Sequence, residues 1–283
     1  MNLTNNCYRF EKKNYTDSIF SNCVDATYII HLENNGRYDS IQEQLRDYHP
    51  TNIVYIVFNK GYKNCKKADH ITLPAYDLTD AFLEVFKDAK NKNYNNILIL
   101  EDDFMFNEKI KDSSHQLNIC NFLNDNTNSD IQYLLGCIPY FKAPYILDNN
   151  HCVFCLSTGT HACIYTKLNR EKILNEKIEV IKDWDLYNCC NSRRYGYYLP
   201  LCYQLFPETE NSKMWGHENI LFTFISIIIK KCYKFWKLDL EPEPGYSIFY
   251  LCSNIVFFIV ILIFFYLYYI CYNYFAKIKK VKK

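Results

Sequence analysis

Hydrophobic residues along this chain fall into short runs separated by stretches of helical periodicity. Thr27–Leu32 and Ile53–Phe58 are β-rich runs, and the segment between them, Ser40–Asp47, is patterned as a helix. Leu78, Phe82, Val85, Phe86 and Ala89 recur at helical spacing across Leu78–Asn91 and mark one apolar face. Ile97–Leu100 is wholly apolar and short, as a buried strand would be. Further strands are expected at Ile131–Ile138 and His161–Thr166, helices near Asn169–Glu176 and Trp184–Cys190, and polar loops at Asn91–Asn96 and Asn124–Asp130. Apolar runs alternating with helices predict an α/β fold built on a mostly parallel sheet with helices on both faces. No internal repeat is found.

The pattern changes near the C-terminus. No charged residue occurs from Tyr246 to Ala276, and Ile255–Ile270 is almost wholly Ile, Val, Leu, Phe and Tyr. A bilayer core takes roughly 20 apolar residues, so one transmembrane helix is expected over 246–276. Tyr266, Tyr268, Tyr269, Tyr272 and Tyr274 resemble an interfacial aromatic belt, and five lysines close the chain over 277–283. Glu241-Pro242-Glu243-Pro244-Gly245 reads as a stiff linker. Ile220–Ile229 is too short to span; it is a core helix or, with Lys230, Lys231, Lys234 and Lys237, an interfacial one. The expected boundaries are therefore an N-terminal segment at 1–24, the main domain at 25–218, an amphipathic segment and linker at 219–245, the span at 246–276 and a basic tail at 277–283.

Composition narrows the function classes. With 32 basic and 31 acidic side chains, the net charge of +1 gives no electrostatic reason for a nucleic-acid partner. Only seven glycines occur, and no G-x-G-x-x-G or G-x-x-x-x-G-K phosphate loop is present. The fourteen cysteines are scattered through a chain long enough to build its own core, which favours reduced thiols. His151, Cys152, Cys155, His161 and Cys163 allow a zinc reading. Against it, no second CxxC completes four ligands, and His161–Tyr165 alternates like a buried strand.

The sharpest chemical signal is Ile97-Leu98-Ile99-Leu100-Glu101-Asp102-Asp103-Phe104. Three acids follow directly on a buried strand, at the carboxyl edge where ligands of open α/β sheets bind. In an extended segment Glu101 and Asp103 face one way and Asp102 the other. Two carboxylates about 5 Å apart repel by some 3 kcal/mol at an effective dielectric near 20. A hard divalent cation, Mn2+ or Mg2+, removes that cost. The alternative is a solvated turn.

These residues resemble the acidic motif of glycosyltransferase family 25, which includes lipooligosaccharide and procollagen galactosyltransferases. Tyr28-Ile29-Ile30-His31-Leu32-Glu33-Asn34-Asn35-Gly36-Arg37 is similar to the family's first strand and Arg-containing loop. Gly159-Thr160-His161-Ala162-Cys163-Ile164-Tyr165 resembles its small-residue strand, and Asp183-Trp184-Asp185-Leu186 its acidic helix start. Pro200-Leu201-Cys202-Tyr203-Gln204, with Ser212 beyond, resembles its late segment. The match covers residues 25–215, and the Asn-, Lys-, Ile- and Tyr-rich style is similar to members from large DNA viruses. Where the family carries Gly-Cys-x-x-Ser-His, this chain has Leu73-Pro74-Ala75-Tyr76-Asp77-Leu78-Thr79-Asp80, so no role of that serine or histidine carries over.

The resemblance implies a GT-A-like fold, a UDP-sugar donor and a cation, Mn2+ or Mg2+, bridging the diphosphate. Asp103 and Glu101 would hold the metal; Glu101, Asp102 and Arg37 would contact the nucleotide-sugar. It also implies inversion, which needs a base for the acceptor hydroxyl. Asp183 and Asp185 are the candidates; about 200° apart on a helix, only one enters the site. Asp183 suits an N-cap, so Asp185 is preferred. His217 or Glu210 could complete the metal shell. The expected activity is transfer of a hexose to a protein, lipid or glycan acceptor. The alternative is an inactive, membrane-anchored scaffold of the same fold, and a third reading, a metal-dependent nuclease or phosphatase, lacks ligands. The N-terminal residues lack the apolar core of a secretory leader. With a C-terminal anchor, this places the catalytic domain in the cytosol as a tail-anchored protein.

Overall fold

The structure is a computed structural model that describes residues 7–138, 140–143, 147–157, 159–181, 183–206 and 220–281; the side chains of 190, 220–222, 224, 225, 254–257, 260 and 274–281 lie outside the description. Its centre is one nine-stranded sheet in the order β1-β3-β2-β4-β9-β6-β10-β8-β7, with a two-stranded ribbon, β11-β5, beside it. The strands are β1 (Tyr8–Asn14), β2 (Ala26–Leu32), β3 (Ile53–Asn59), β4 (Asn96–Glu101), β5 (Phe104–Phe106), β6 (Ile131–Leu134), β7 (Tyr140–Lys142), β8 (His151–Ser157), β9 (Ala162–Thr166), β10 (Arg193–Tyr197) and β11 (Cys202–Gln204). The helices are α1 (Tyr38–Asp47), α2 (Pro74–Asn91), α3 (Ser113–Asp125), α4 (Lys167–Leu174), α5 (Trp184–Asn191), α6 (Ile220–Phe235) and α7 (Gly245–Val281).

The expected GT-A-like, mostly parallel sheet is corrected by the strand directions. β2 runs parallel to β3 and β4, and β10 parallel to β6. The pairs β1–β3, β4–β9, β6–β9, β8–β10 and β7–β8 are all antiparallel. The sheet is therefore mixed. The inference failed because a strand covered on both faces reads as continuously apolar whichever way it runs. Antiparallel β9 is buried at every residue, as a central parallel strand would be.

Both faces are covered because successive side chains of each strand enter different cores. Tyr28, Ile30, Ile97 and Ile99 join Phe82, Phe86 and Trp184 on one side. Ile29, Leu98 and Leu100 join Ile41, Leu45, Ile119 and Leu123 on the other. Thus α2 and α5 pack on one face, where Phe82 stacks on Trp184 at 4.3 Å, and α1 and α3 on the opposite one. Edge strand β1 alternates between partly buried and exposed positions, and its Lys12 and Lys13 hide it from an apolar scan.

The expected membrane span is also corrected: among the described residues no helix is long and apolar enough to cross a membrane. Segment 246–276 lies in α7, whose first turns belong to the domain. Tyr246, Phe249, Tyr250 and Ser253 are buried. The Tyr250 hydroxyl donates to the Tyr197 carbonyl at 2.6 Å, and the Tyr140 hydroxyl to the Tyr250 carbonyl at 2.9 Å. Apolarity that looks like a span from its first residue is thus partly core packing.

Reduced thiols throughout are not what the fold contains. Cys7 is bonded to Cys65 and Cys23 to Cys120.

Candidate active site

The acidic triplet divides as strand alternation requires. Asp102, 9% exposed, turns inward and fixes the loop between β2 and α1. It accepts hydrogen bonds from His31 Nδ1 at 3.1 Å, Leu32 N at 3.0 Å, Asn35 Nδ2 at 2.5 Å and Arg37 Nη1 at 2.7 Å. That loop needs backbone in the left-handed region at Asn34 (φ 65°) and Gly36 (φ 78°), which asparagine and glycine tolerate. Burial pushes the Asp102 pKa up, but the bonds from His31, Arg37 and Asn35 outweigh it and hold the carboxyl below its ordinary value. Asp102 is thereby committed to the protein's own loop rather than turned toward a ligand.

Glu101 and Asp103 lie on the other side. Burial, then the neighbouring Asp103, Asp185 and Asp102, push the Glu101 carboxyl well above the usual range, with Arg37 opposing. Burial raises Asp103 to about 6 against the pull of the Arg37 guanidinium, with Asp102 adding to the rise. Arg37 Nη1 stands 3.4 Å from Asp103 Oδ2, so one nitrogen serves both Asp102 and Asp103. Gln204, on β11, donates from Nε2 to both Asp103 oxygens at 3.2 and 3.1 Å. The Glu101 side chain is partly exposed and has no hydrogen bond to a described residue.

Asp183 and Asp185 part as their helical positions require. Asp183 caps α5, accepting from Leu186 N at 2.9 Å. Asp185 faces the carboxylates and accepts from Gly159 N at 3.0 Å and the Thr160 hydroxyl at 2.9 Å. Glu101, Asp103, Asp185 and Arg37 are therefore brought together. Among the described residues no group of three or more His, Cys, Asp or Glu is placed to hold a metal ion. Glu101 and Asp103 remain a two-carboxylate donor set, which suits a hard cation that keeps water and phosphate oxygens as its other ligands. Their raised pKa values express the charge such an ion would neutralise. Glu210, Ser212 and His217 lie outside the described residues.

The zinc reading separates. Cys152 is buried and Cys155 exposed on the same strand, His151 pairs with Asp148 at 2.9 Å, and His161 faces Cys202. Asp77 and Asp80, in the segment that departs from the family pattern, hold the buried Lys67 at 2.5 and 3.2 Å.

Sequence reasoning missed the roles of His161 and Gln204. His161 Nε2 donates to the Cys202 carbonyl at 3.2 Å, whereas its Nδ1 and Gln204 Oε1 are buried without partners. Their segments were legible only as a strand and a proline-led stretch. Nothing local signals that β11 comes to lie beside β5.

No family model matches this chain, and no curated protein matches it. Among solved structures it is similar to the crystal structure of A197 from STIV, at 13% identity and a TM-score of 0.36, over 66% of this chain and 87% of that one.

Proposed function

We propose that this protein is a metal-dependent glycosyltransferase, moving a hexose from a nucleoside-diphosphate sugar such as a UDP-sugar to a hydroxyl acceptor. The observation that carries the reading is the pair Glu101 and Asp103, both pushed toward protonation beside Asp185 at the end of β4. Crowded carboxylates with raised pKa values suit a site that binds a cation with an anionic ligand. The resemblance to glycosyltransferase family 25 supplies the reaction class.

A divalent ion held by Asp103 and Glu101 would supply charge neutralisation to the departing diphosphate. The remaining roles belong to this chain. Arg37 keeps Asp102 and Asp103 oriented, and its exposed edge offers donors to phosphate oxygens. Asp185 takes the proton of the acceptor hydroxyl as the hydroxyl oxygen bonds to the anomeric carbon and the bond from that carbon to the diphosphate breaks. The hydrogen bonds from Gly159 and Thr160 fix its carboxylate while leaving each oxygen a lone pair.

The test is thermal stabilisation of the full chain by UDP and by UDP-hexoses, with and without Mn2+, followed by a donor-hydrolysis screen. The full chain is required because Tyr246, Phe249 and Tyr250 of α7 are core residues. Mn2+-dependent stabilisation and slow donor hydrolysis are expected. Identical melting with and without every nucleotide tried would remove the reading.

A further inference from the structure

The helix α6 is held against the domain by one side only. The Tyr233 hydroxyl donates to the Ile138 carbonyl at 3.1 Å, and the Tyr233 ring stacks on Phe206 at 4.1 Å. Trp236, just past the helix, meets Phe249 of α7 edge-on at 4.9 Å. Tyr233 and Ser226 are buried. At about 100° per residue, Ile227, Ile228, Lys231, Lys234 and Phe235 fall in a sector of about 120° on the other side, and all five are exposed. Phe235 is 79% exposed, and Leu240, in the turn that follows, 73%.

Large apolar side chains grouped on a surface mark a contact site, and the charge of this one is of a single sign. Residues 220–238 include Lys230, Lys231, Lys234 and Lys237 and no acid; Asp239 and Glu241 come only beyond them. Glu243 is engaged by the hydroxyls of Tyr203 and Ser247. Lys231, Lys234 and Lys237 make no ion pair among the described residues. Lysine and apolar side chains interleave within the sector rather than segregating. That arrangement lets lysine stems lie along an apolar layer while their ammonium groups stay at its polar boundary. The face is the convex outside of a helix, and beyond it α7 exposes Leu262 and Phe264, about 160° apart on that helix. A protein groove covers one side of a helix, so exposure of this kind favours a lipid surface over a protein partner.

We propose that the outer face of α6 docks on an anionic lipid bilayer. Ile227, Ile228 and Phe235 enter the headgroup boundary, and Lys231, Lys234 and Lys237 meet the anionic headgroups around them. The contact is with the surface alone, since among the described residues no helix is long and apolar enough to cross. It goes beyond the glycosyl-transfer reading and does not depend on it. Attraction between lysines and anionic lipid decays within a Debye length, so that part of the binding is salt-sensitive. The part owed to buried apolar area persists in salt.

The experiment is flotation of the full chain with vesicles of phosphatidylcholine alone and of phosphatidylcholine with about 30% phosphatidylserine. The exposed apolar residues of α7 would hold neutral and anionic lipid alike, so the readout is the ratio of the two affinities. Each lysine at such a surface adds roughly fivefold. A preference of about tenfold or more for the anionic vesicles is therefore expected in about 0.1 M salt, shrinking in about 1 M. Lys231→Gln with Lys234→Gln should remove most of that preference, and Phe235→Ser should weaken binding to both vesicles by about tenfold. Lys12→Gln with Lys109→Gln, on β1 and on the segment before α3, is the control and should leave the preference unchanged. Equal binding to neutral and anionic vesicles overturns the proposal, as does a preference that survives the loss of Lys231 and Lys234. So does an equal loss in the control pair, or a Phe235→Ser variant that binds like wild type. Flotation with neither vesicle overturns it as well, and self-association in that case would place a second copy of the chain on α6.

Discussion

Cut after α3, at Asp125, the chain separates into two stretches held together in different ways. In the first, every described cysteine is cross-linked: Cys7 to Cys65 and Cys23 to Cys120. In the second, Cys137, Cys152, Cys155, Cys163, Cys202, Cys232, Cys252 and Cys271 are free thiols. The first stretch contributes β2, β3 and β4 as parallel neighbours; the second pairs β7, β8 and β10 antiparallel to one another. The same contrast runs through the site. All side-chain and backbone partners of Asp102 come from the first stretch, and the partners of Asp185 come from the second. Asp103 joins them, reaching Arg37 on one side and Gln204 on the other. The cross-linked part thus presents Glu101, Asp102 and Asp103, and the second part brings Asp185 and Gln204 to them.

The largest effect expected from this division separates Asp103 from its neighbour. Asp103→Asn should lower donor turnover by roughly 1000-fold, as loss of an electrostatic contact in a transition state does, with the melting temperature nearly kept. Asp102→Ala should instead destabilise the fold by about 1–3 kcal/mol, because it leaves the buried donors His31, Leu32 N and Asn35 without their acceptor. Turnover per folded molecule and chemical denaturation measure the two. Near-normal turnover of the Asp103 variant at micromolar Mn2+ would end its assignment to the metal.

Next in size is the cross-linking itself. The bridges span sequence separations of 58 and 97 residues, for which loop-closure entropy gives about 4–5 kcal/mol each and measured native bridges give about 2–5. Cys23→Ser with Cys120→Ser should therefore cost several kcal/mol. Cys152→Ala should cost only what its packing loses. Alkylation under denaturing, non-reducing conditions should spare Cys7, Cys23, Cys65 and Cys120 and label Cys137, Cys152 and Cys163. Full alkylation of all four would erase the contrast.

The same comparison shows what local pattern can convey. The alternation that sends Asp102 inward and Glu101 and Asp103 outward was legible, because it follows from strand geometry alone. So were the capping of α5 by Asp183 and the helical face of α2. These lie in single elements. What was not legible depends on chain returns of long range. β10 pairs with β6 and β8 across some sixty and forty residues, and no residue within β10 encodes the partner's direction. At Gly136 any Cβ would stand 2.0 Å from the Cys202 carbonyl oxygen; the need for glycine there appears only once β11 is in place. The unpaired acceptors on His161 and Gln204 arise from the same return.

A pH titration reports on the junction of the two stretches. Asp103 has its folded pKa raised to about 6 from an ordinary 3.8, so the folded chain holds a proton there that the unfolded chain has released. Between those values the folded state binds more protons, and stability falls as pH rises. Without metal, the melting temperature should drop between pH 4 and above pH 6, and Asp103→Asn should flatten that slope. Mn2+ binds the deprotonated carboxylates, so its stabilisation should be small at pH 5 and grow through pH 6 to 7.5. A metal effect independent of pH across that window would separate the ion from Asp103.

The smallest expected effect concerns the two acids of α5, both in the second stretch. Asp183 accepts from Leu186 N at the helix start, so Asp183→Ala should cost about 1 kcal/mol of stability, the ordinary value of an N-cap. Turnover of the folded fraction should change little, because the cap touches neither Glu101 nor Asp103. Asp185→Asn preserves the shape that meets Gly159 and Thr160 but cannot accept the hydroxyl proton. It should leave stability close to wild type and lower transfer by roughly 100-fold or more, the usual contribution of a positioned base. Hydrolysis of donor by water and transfer to acceptor should both fall, while affinity for UDP measures whether the site is still formed. If Asp183→Ala lowers turnover per folded molecule and Asp185→Asn is silent, the roles along the helix are reversed. The acid that caps α5 would then be the one that reaches the acceptor, and the bonds from Gly159 and Thr160 to Asp185 would serve only to hold that loop in place.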